Sequence, residues 1–202
     1  MIKTQIQWIN DDWKEVKNVC RSTINKEATD NEPDKEFKLK LLLSEHSPIR
    51  LIRVKWRWEG IKSWIAGHFV RHHIGVEKWV STQRSDRTGV DRHNLSQDSP
   101  VSLEMVANAQ SLINMARYRL CYQAAPETRE QMEDLKQSIK ESGREELAFM
   151  MQPNCIYRCG CPEHKSCGFW NDFVKHCDNP IYLTDIRTRY SMADIGFYDR
   201  RK

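Results

Sequence analysis

Apolar and polar positions alternate through Ile2, Thr4, Ile6 and Trp8, which predicts a short strand with one buried face. Trp13, Val16 and Cys20 then fall on one side of a helix spanning residues 12–23. The stretch "ATDNEPDKE" reads as a loop, with Asp34 capping a helix that ends near Leu43. The clearest strand is "LIRVKWRW", where Ile52, Val54, Trp56 and Trp58 share one face and Arg53, Lys55 and Arg57 the other. That pattern fits an antiparallel sheet with one solvated side. Gly60 is expected to break this strand. Ile61, Trp64, Ile65, His68, Phe69 and His72 then recur at helical spacing, placing both histidines on one inward stripe.

Residues 83–100 are polar, contain Gly89 and end in Ser-Pro, as a loop does, and a loop of this length is more often functional than idle. Ser102 is expected to cap a long helix to about Ala124, with Met105, Ala109, Leu112, Ile113, Ala116 and Leu120 as its apolar stripe. Pro126 opens another helix through Met132, Leu135 and Ile139, and Gly143 interrupts before a short segment to Met151. From Asp178 onward the chain is rich in Tyr, Asp and Arg without a sustained period. The elements describe an α+β fold, an antiparallel sheet packed against long helices, over residues 1–152. An irregular Cys-rich extension over 153–202 follows.

Composition narrows the setting. At 202 residues, 39% hydrophobic and 30% charged, the chain fits one globular domain with or without an appendage. It holds no apolar run of the roughly 18 residues a membrane helix needs, and its first residues lack a signal peptide's apolar segment, so a cytoplasmic location is expected. A net charge of +4, from 32 basic and 28 acidic residues, does not by itself argue for nucleic acid, although a local basic patch can still bind phosphate.

Seven cysteines are an odd count, and with a cytoplasmic setting they speak against a disulfide framework. Cys20 and Cys121 read as small buried hydrophobes. "PNCIYRCGCPEHKSCG" gathers Cys155, Cys159, Cys161, Cys167 and His164, a donor set suited to a zinc ion that staples the tail. Reduced, unliganded thiols are the equal alternative, and an iron-sulfur cluster is a third.

The stretch "HFVRHHIGVEKWVSTQRSDR", residues 68–87, supports three chemistries. Arg71, Ser81, Arg84 and Arg87 suit an anion, because guanidinium forks donate paired hydrogen bonds to phosphate oxygens and a hydroxyl completes the shell. His68 and His72, four apart, suit a metal with His46 as a third ligand, but no carboxylate sits between them in the frame that zinc hydrolases use. The same residues also describe a solvated basic face.

"RHHIGVEKWVS" resembles the R-H-R-x7-S signature of the flavin-dependent thymidylate synthases, with Arg71, His72, His73 and Ser81 in register. "SEHSPIRL" is similar to that family's H-x-(S/T)-P segment ahead of a strand, and "CRS" at 20–22 to its A-R-x-S element. "NAQSLINMARYRLCYQAAPETRE" resembles its late N-A-R-S-L-x-N-F-x-x-x-R helix and A-Q-x-E-I-R turn, through Asn108, Ala109, Ser111, Leu112, Asn114, Arg119 and Glu127. The match covers roughly residues 15–130. It departs at His73, at Gln110, at the interior "EKWV", and after Ser81, where Thr82, Gln83 and Arg84 replace S-x-R-Y. Residues 82–107 are too few for the family's intervening helix and its A-R-x-x-L-P motif, and Phe149 in "ELAFMMQP" stands where that motif's arginine would be.

The resemblance implies an enzyme that methylates dUMP to dTMP with FAD, methylenetetrahydrofolate as the methyl source and NADPH as reductant. The flavin would carry the redox chemistry while the protein positions rings and neutralises phosphates. It implies Arg71, Ser81 and Arg119 as catalytic residues. His46, Ser47, Arg71, His72, His73, Asn108 and Asn114 would hold the flavin. His68, Arg71, Ser81, Gln83, Arg84 and Arg119 would hold dUMP or a related pyrimidine nucleotide, with Arg84 standing in for the family's shifted arginine. A homo-oligomer, a tetramer in that family, is also implied. The competing reading is a zinc-stapled module whose basic loop at 84–92 binds single-stranded nucleic acid, with Trp79, Tyr157, Phe169 and Trp170 stacking on bases.

Overall fold

The computed structural model describes residues 2–177 and 179–194. Four strands, β1 (Gln5–Asn10), β2 (Arg53–Lys62), β3 (Val76–Val80) and β4 (Pro100–Asn108), form one sheet in the order β1-β2-β4-β3, with every neighbouring pair antiparallel. Helices α1 (Trp13–Ser22) and α2 (Lys35–Leu43) precede β2, and α3 (Ser63–Val70) joins β2 to β3. The short α4 (Ser85–Thr88) lies between β3 and β4, and α5 (Ala109–Arg119), α6 (Pro126–Glu141) and α7 (Glu145–Met150) follow the sheet. The tail adds α8 (Asn154–Arg158), α9 (Phe169–Lys175) and α10 (Ile186–Asp194). The fold is therefore α+β, as the sequence predicts. Asp178 and residues 195–202 of the expected extension lie outside the described residues.

β2 buries Val54, Trp56, Trp58 and Ile61 at 0% exposure, while Lys55 on the opposite face pairs with Glu104 at 2.7 Å. α3, α5 and α6 pack on the apolar face of the sheet. Asp12 and Asp34 cap α1 and α2 by accepting from the Glu15 and Phe37 amides at 3.0 and 2.8 Å, as "PDKE" predicts for the second. Met132, Leu135 and Ile139 are all buried along α6.

Four expectations from periodicity are corrected. In β1 the pairing steps from Ile6 opposite Trp56 to Trp8 opposite Lys55, so Gln7 is an extra residue. This bulge inverts the alternation: Ile6 and Ile9 pack inward and Trp8 is 42% exposed. Gly60 does not end β2; with φ +77° it forms a second irregularity between Trp58 and Ile61, and the strand continues to Lys62. Ile61 is consequently a strand residue, and α3 stops at Val70, ahead of His72. The long helix expected from Ser102 is divided into β4 and α5. Val101, Leu103, Met105 and Ala107 are buried in strict alternation, and β4 pairs on both edges, which an isolated helical stripe cannot offer. β3 carries one buried residue, Val76, and so left no periodic signal in the sequence.

The hydrophobic cluster runs without interruption from Trp13 to Ala193 and takes in Ile156, Phe169, Phe173, Leu183 and Tyr190 of the tail. Arg189 is buried there and donates to the carbonyls of Ile156, Tyr157 and Thr184 at 2.8, 2.9 and 3.0 Å, satisfying the ends of the tail's short helical turns.

Candidate functional site

The turn that follows α3 builds one wall of a cleft. Gly75 adopts φ +66°, and a Cβ there would stand 2.4 Å from both Asn108 Nδ2 and Ser111 Oγ. The Asn108 amide donates to Gly75 O at 3.2 Å and Ser111 Oγ donates to Ile74 O at 2.7 Å, docking residues 71–75 on the start of α5. Asn108 also caps α5, its Oδ1 accepting from the Ser111 amide at 2.9 Å. The cleft between this turn, α5 and α8 has a volume of about 460 Å3. Arg71, His72, His73 and Ile74 line one side, Ser111, Asn114, Arg117 and Tyr118 the floor, and Asn154, Tyr157 and Arg158 the far side.

Among the described residues, three arginines and no carboxylate line this cleft, so its field is positive. Arg117 is the exception to free charge. Its guanidinium is buried, paired with Glu45, bonded to Asn114 Oδ1 at 2.9 Å and seated 3.5 Å over the Tyr157 ring. Although burial opposes its charge, the hydrogen bond and attraction of Glu45 leave its pKa raised. Glu45 reaches this position through a left-handed backbone, φ +49°, directly before His46. Arg71 and Arg158 are exposed and available to an anion.

His72 is half-buried, and its Nε2 accepts from Arg119 Nε at 2.9 Å. Burial, then the neighbouring Arg119, Lys78 and His73, push its pKa down to about 4. The ring is neutral at pH 7, and because Nε2 is an acceptor its proton sits on Nδ1. Arg119 also donates to His68 O at 2.6 Å, while His68 Nδ1 lies 2.8 Å from Thr128 Oγ1. Burial, followed by Arg119 and Arg71, lowers His68 as well. The two histidines are thereby organised around one arginine. Among the described residues, no three His, Cys, Asp or Glu side chains are arranged to hold a metal.

Of the residues the sequence singles out, Arg71, His72, His73 and Asn114 line the cleft, and Arg119 and His68 support it from behind. Asn108 holds the wall. Ser81 lies elsewhere, exchanging hydrogen bonds with Ser102 across β3 and β4 at 2.8 and 2.9 Å. Arg84 is exposed and bound to Asp86 through two contacts of 2.9 and 2.8 Å, and Gln83 precedes it. His46 and Ser47 are exposed beside the Glu45–Arg117 pair. Arg117, Tyr118 and Arg158 line the cleft and were missed by the sequence reading, while Tyr157, singled out there only as a ring that could stack on bases, lines it too. Arg117 follows Asn114 by one helical turn, a spacing that signals a shared face; Arg158 was hidden inside the cysteine run.

The fold is that of the flavin-dependent thymidylate synthases. Two solved structures of ThyX from Helicobacter pylori with FAD and dUMP superpose with TM-scores of 0.58 and 0.56 at 12% and 13% identity. They cover 75% and 72% of this chain and 99% and 98% of theirs. PolB from Streptomyces cacaoi, a UMP/dUMP methylase bound with 5-Br dUMP, superposes with a TM-score of 0.60 at 13% identity, covering 76% of this chain and 97% of its own. No family model matches the sequence. No curated protein matches it either.

Proposed function

We propose that the chain is a flavin-dependent pyrimidine-nucleotide methylase that converts dUMP to dTMP, with FAD bound in the cleft, methylenetetrahydrofolate as methyl source and NADPH as reductant. The observation that carries this reading is the cleft itself: a positive lining, free of carboxylates among the described residues, with flat rings at Tyr118 and Tyr157. These residues fit a phosphorylated, aromatic cofactor. The flavin, when bound, supplies the redox chemistry that no side chain here can perform. Arg71 and Arg158 neutralise phosphate, and His72 offers a neutral Nδ1–H, a donor that needs no charge. Arg119 orients His72 from behind, so it belongs to the site through that ring.

PolB's action on UMP and dUMP makes the ribonucleotide a substrate to test beside dUMP. The homo-oligomer that the resemblance implies is supported by exposed apolar residues on the outer strand and the turn before it: Ile74 in the cleft wall is 83% exposed, and Trp79 and Val80 on β3 are 54% and 44% exposed. Purified protein is expected to take up FAD and to shift its flavin spectrum when dUMP is added. Arg71→Ala and Arg119→Ala are each expected to abolish the shift while the far-ultraviolet circular dichroism stays that of the parent. Colourless protein that refuses FAD and binds oligonucleotides with steep salt dependence would replace this reading by a nucleic-acid module.

A further inference from the structure

α8 is a helix of five residues, too short to be stable by its own hydrogen bonds. It nonetheless carries two side chains of the cleft's far side, Tyr157 and Arg158. Its amides bond within the same turn: Ile156 and Tyr157 donate to Pro153 O, and Gly160 donates to Cys155 O. The carbonyls of Ile156 and Tyr157, left over at the C-terminal end, accept instead from Arg189 Nε and Nη2 at 2.8 and 2.9 Å. The remaining nitrogen, Nη1, donates to the carbonyls of Leu183 and Thr184. Arg189 is only 5% exposed, so these four carbonyls hold it in place of water. α10, which carries it, is fastened to other elements as well. Arg187 meets Glu36 of α2 through contacts of 3.0 and 2.9 Å, and Asp194 meets Lys136 of α6 at 2.8 Å. Tyr190 is fully buried, with its ring 5.7 Å from that of Phe149 in α7. Arg189 thus joins a firmly held helix to a weak one.

We propose that Arg189 is a positioning residue for the cleft: by holding the Ile156 and Tyr157 carbonyls it sets the angle at which the Tyr157 ring and the Arg158 guanidinium face the bound ligand. Its hydrogen bonds go to backbone carbonyls, so it acts through these two side chains and not on the ligand itself. A shift of α8 also disturbs the cleft floor, because the Arg117 guanidinium lies 3.5 Å over the Tyr157 ring. The proposal rests on the flavin reading of the cleft only for the identity of that ligand.

The test compares full-length Arg189→Lys with the parent in two readouts. Lysine keeps the charge, but a single ammonium cannot span four carbonyls. Hydrogen exchange at the amides of residues 156–160 is expected to quicken about tenfold or more in Arg189→Lys, while those of α5 and α6 stay at the parent rate. FAD titration, followed by flavin fluorescence, is expected to show a rise in Kd of about tenfold with the cooperative melt retained. Adding Arg189→Lys to a Tyr157→Leu, Arg158→Gln double variant should change Kd by less than about twofold further, since the route is already cut. Unchanged exchange at 156–160 overturns the positioning role. So does an unchanged Kd beside a lowered melting temperature, or a full further loss on top of the double variant. A parent that takes up no FAD ends the flavin reading instead, and the exchange readout still decides for Arg189. Where Arg189→Lys does not fold, the Nε–H resonance of Arg189 in the unaltered protein decides: slow exchange with solvent and a shift on adding FAD are expected. An Nε–H that exchanges as fast as that of exposed Arg71, or that FAD leaves in place, overturns the assignment.

Discussion

His72 is held neutral by its surroundings, and this has a consequence for pH. Its folded pKa of about 4 lies below the ordinary histidine value, so the unfolded chain takes up the proton first as pH falls. The stability it contributes is complete above about pH 6.5 and is lost between there and about pH 4. Thermal melts across that window should fall more steeply for the parent than for His72→Gln; parallel curves would remove His72 as the cause. Gly75 is equally specific. Gly75→Ala must place a methyl group against Asn108 and Ser111 in a left-handed backbone, and should cost roughly 1–3 kcal/mol in denaturant titration. Glu45→Ala leaves the Arg117 guanidinium buried without its carboxylate, with an expected loss of about 3–5 kcal/mol. Replacing Arg117 by Met in that background should recover part of it.

Helix and strand ends determine where these side chains stand. Asn108 closes β4 and caps α5, and Asn108→Ala should cost about 1 kcal/mol in the same titration, with Asn108→Asp retaining most of the cap. Strong periodicity was legible. The β2 alternation, the Asp34 cap and the α6 stripe are all as expected, because each is a local pattern with a single period. The β4–α5 junction was not, since Met105 fits a helical stripe with Ala109 and Leu112 as well as it fits the strand alternation; only pairing with β2 and β3 separates the two. The bulge at Gln7 is equally silent, because an extra residue shows itself only against a partner strand. Within the site, the arginine-histidine turn was legible through its resemblance to a known signature. Its counterparts on α8 were not, because nothing in "CIYRC" tells that Tyr157 and Arg158 face α5.

Considered as one molecule, the described residues share one hydrophobic cluster that extends across Gln152. The tail's Phe169, Phe173 and Tyr190 are buried in the same cluster as Leu112, Leu135 and Met150. Each of these side chains removes apolar area worth about 1.5–3 kcal/mol when fully buried, so together they are comparable with the margin of about 5–15 kcal/mol of an ordinary domain. A chain ending at Gln152 should therefore lose its cooperative melt and expose enough apolar surface to aggregate. A sharp transition near that of the full chain would show that residues 1–152 fold alone.

The connection between Ser81 and Ser99 behaves differently. Its base is fastened where the Ser63 amide donates to Ser99 O at 3.0 Å and Trp64 Nε1 to Asp98 Oδ1 at 2.9 Å. Between these fastenings the residues from Arg84 to Asn94 are exposed, and none of them belongs to the core. Brief trypsin treatment should thus sever the backbone at Arg84, Arg87 or Arg92 and leave two fragments that migrate together under native conditions. The same stretch is where extra sequence can be spliced in at little cost, so lineages sharing this architecture are free to differ most in length there.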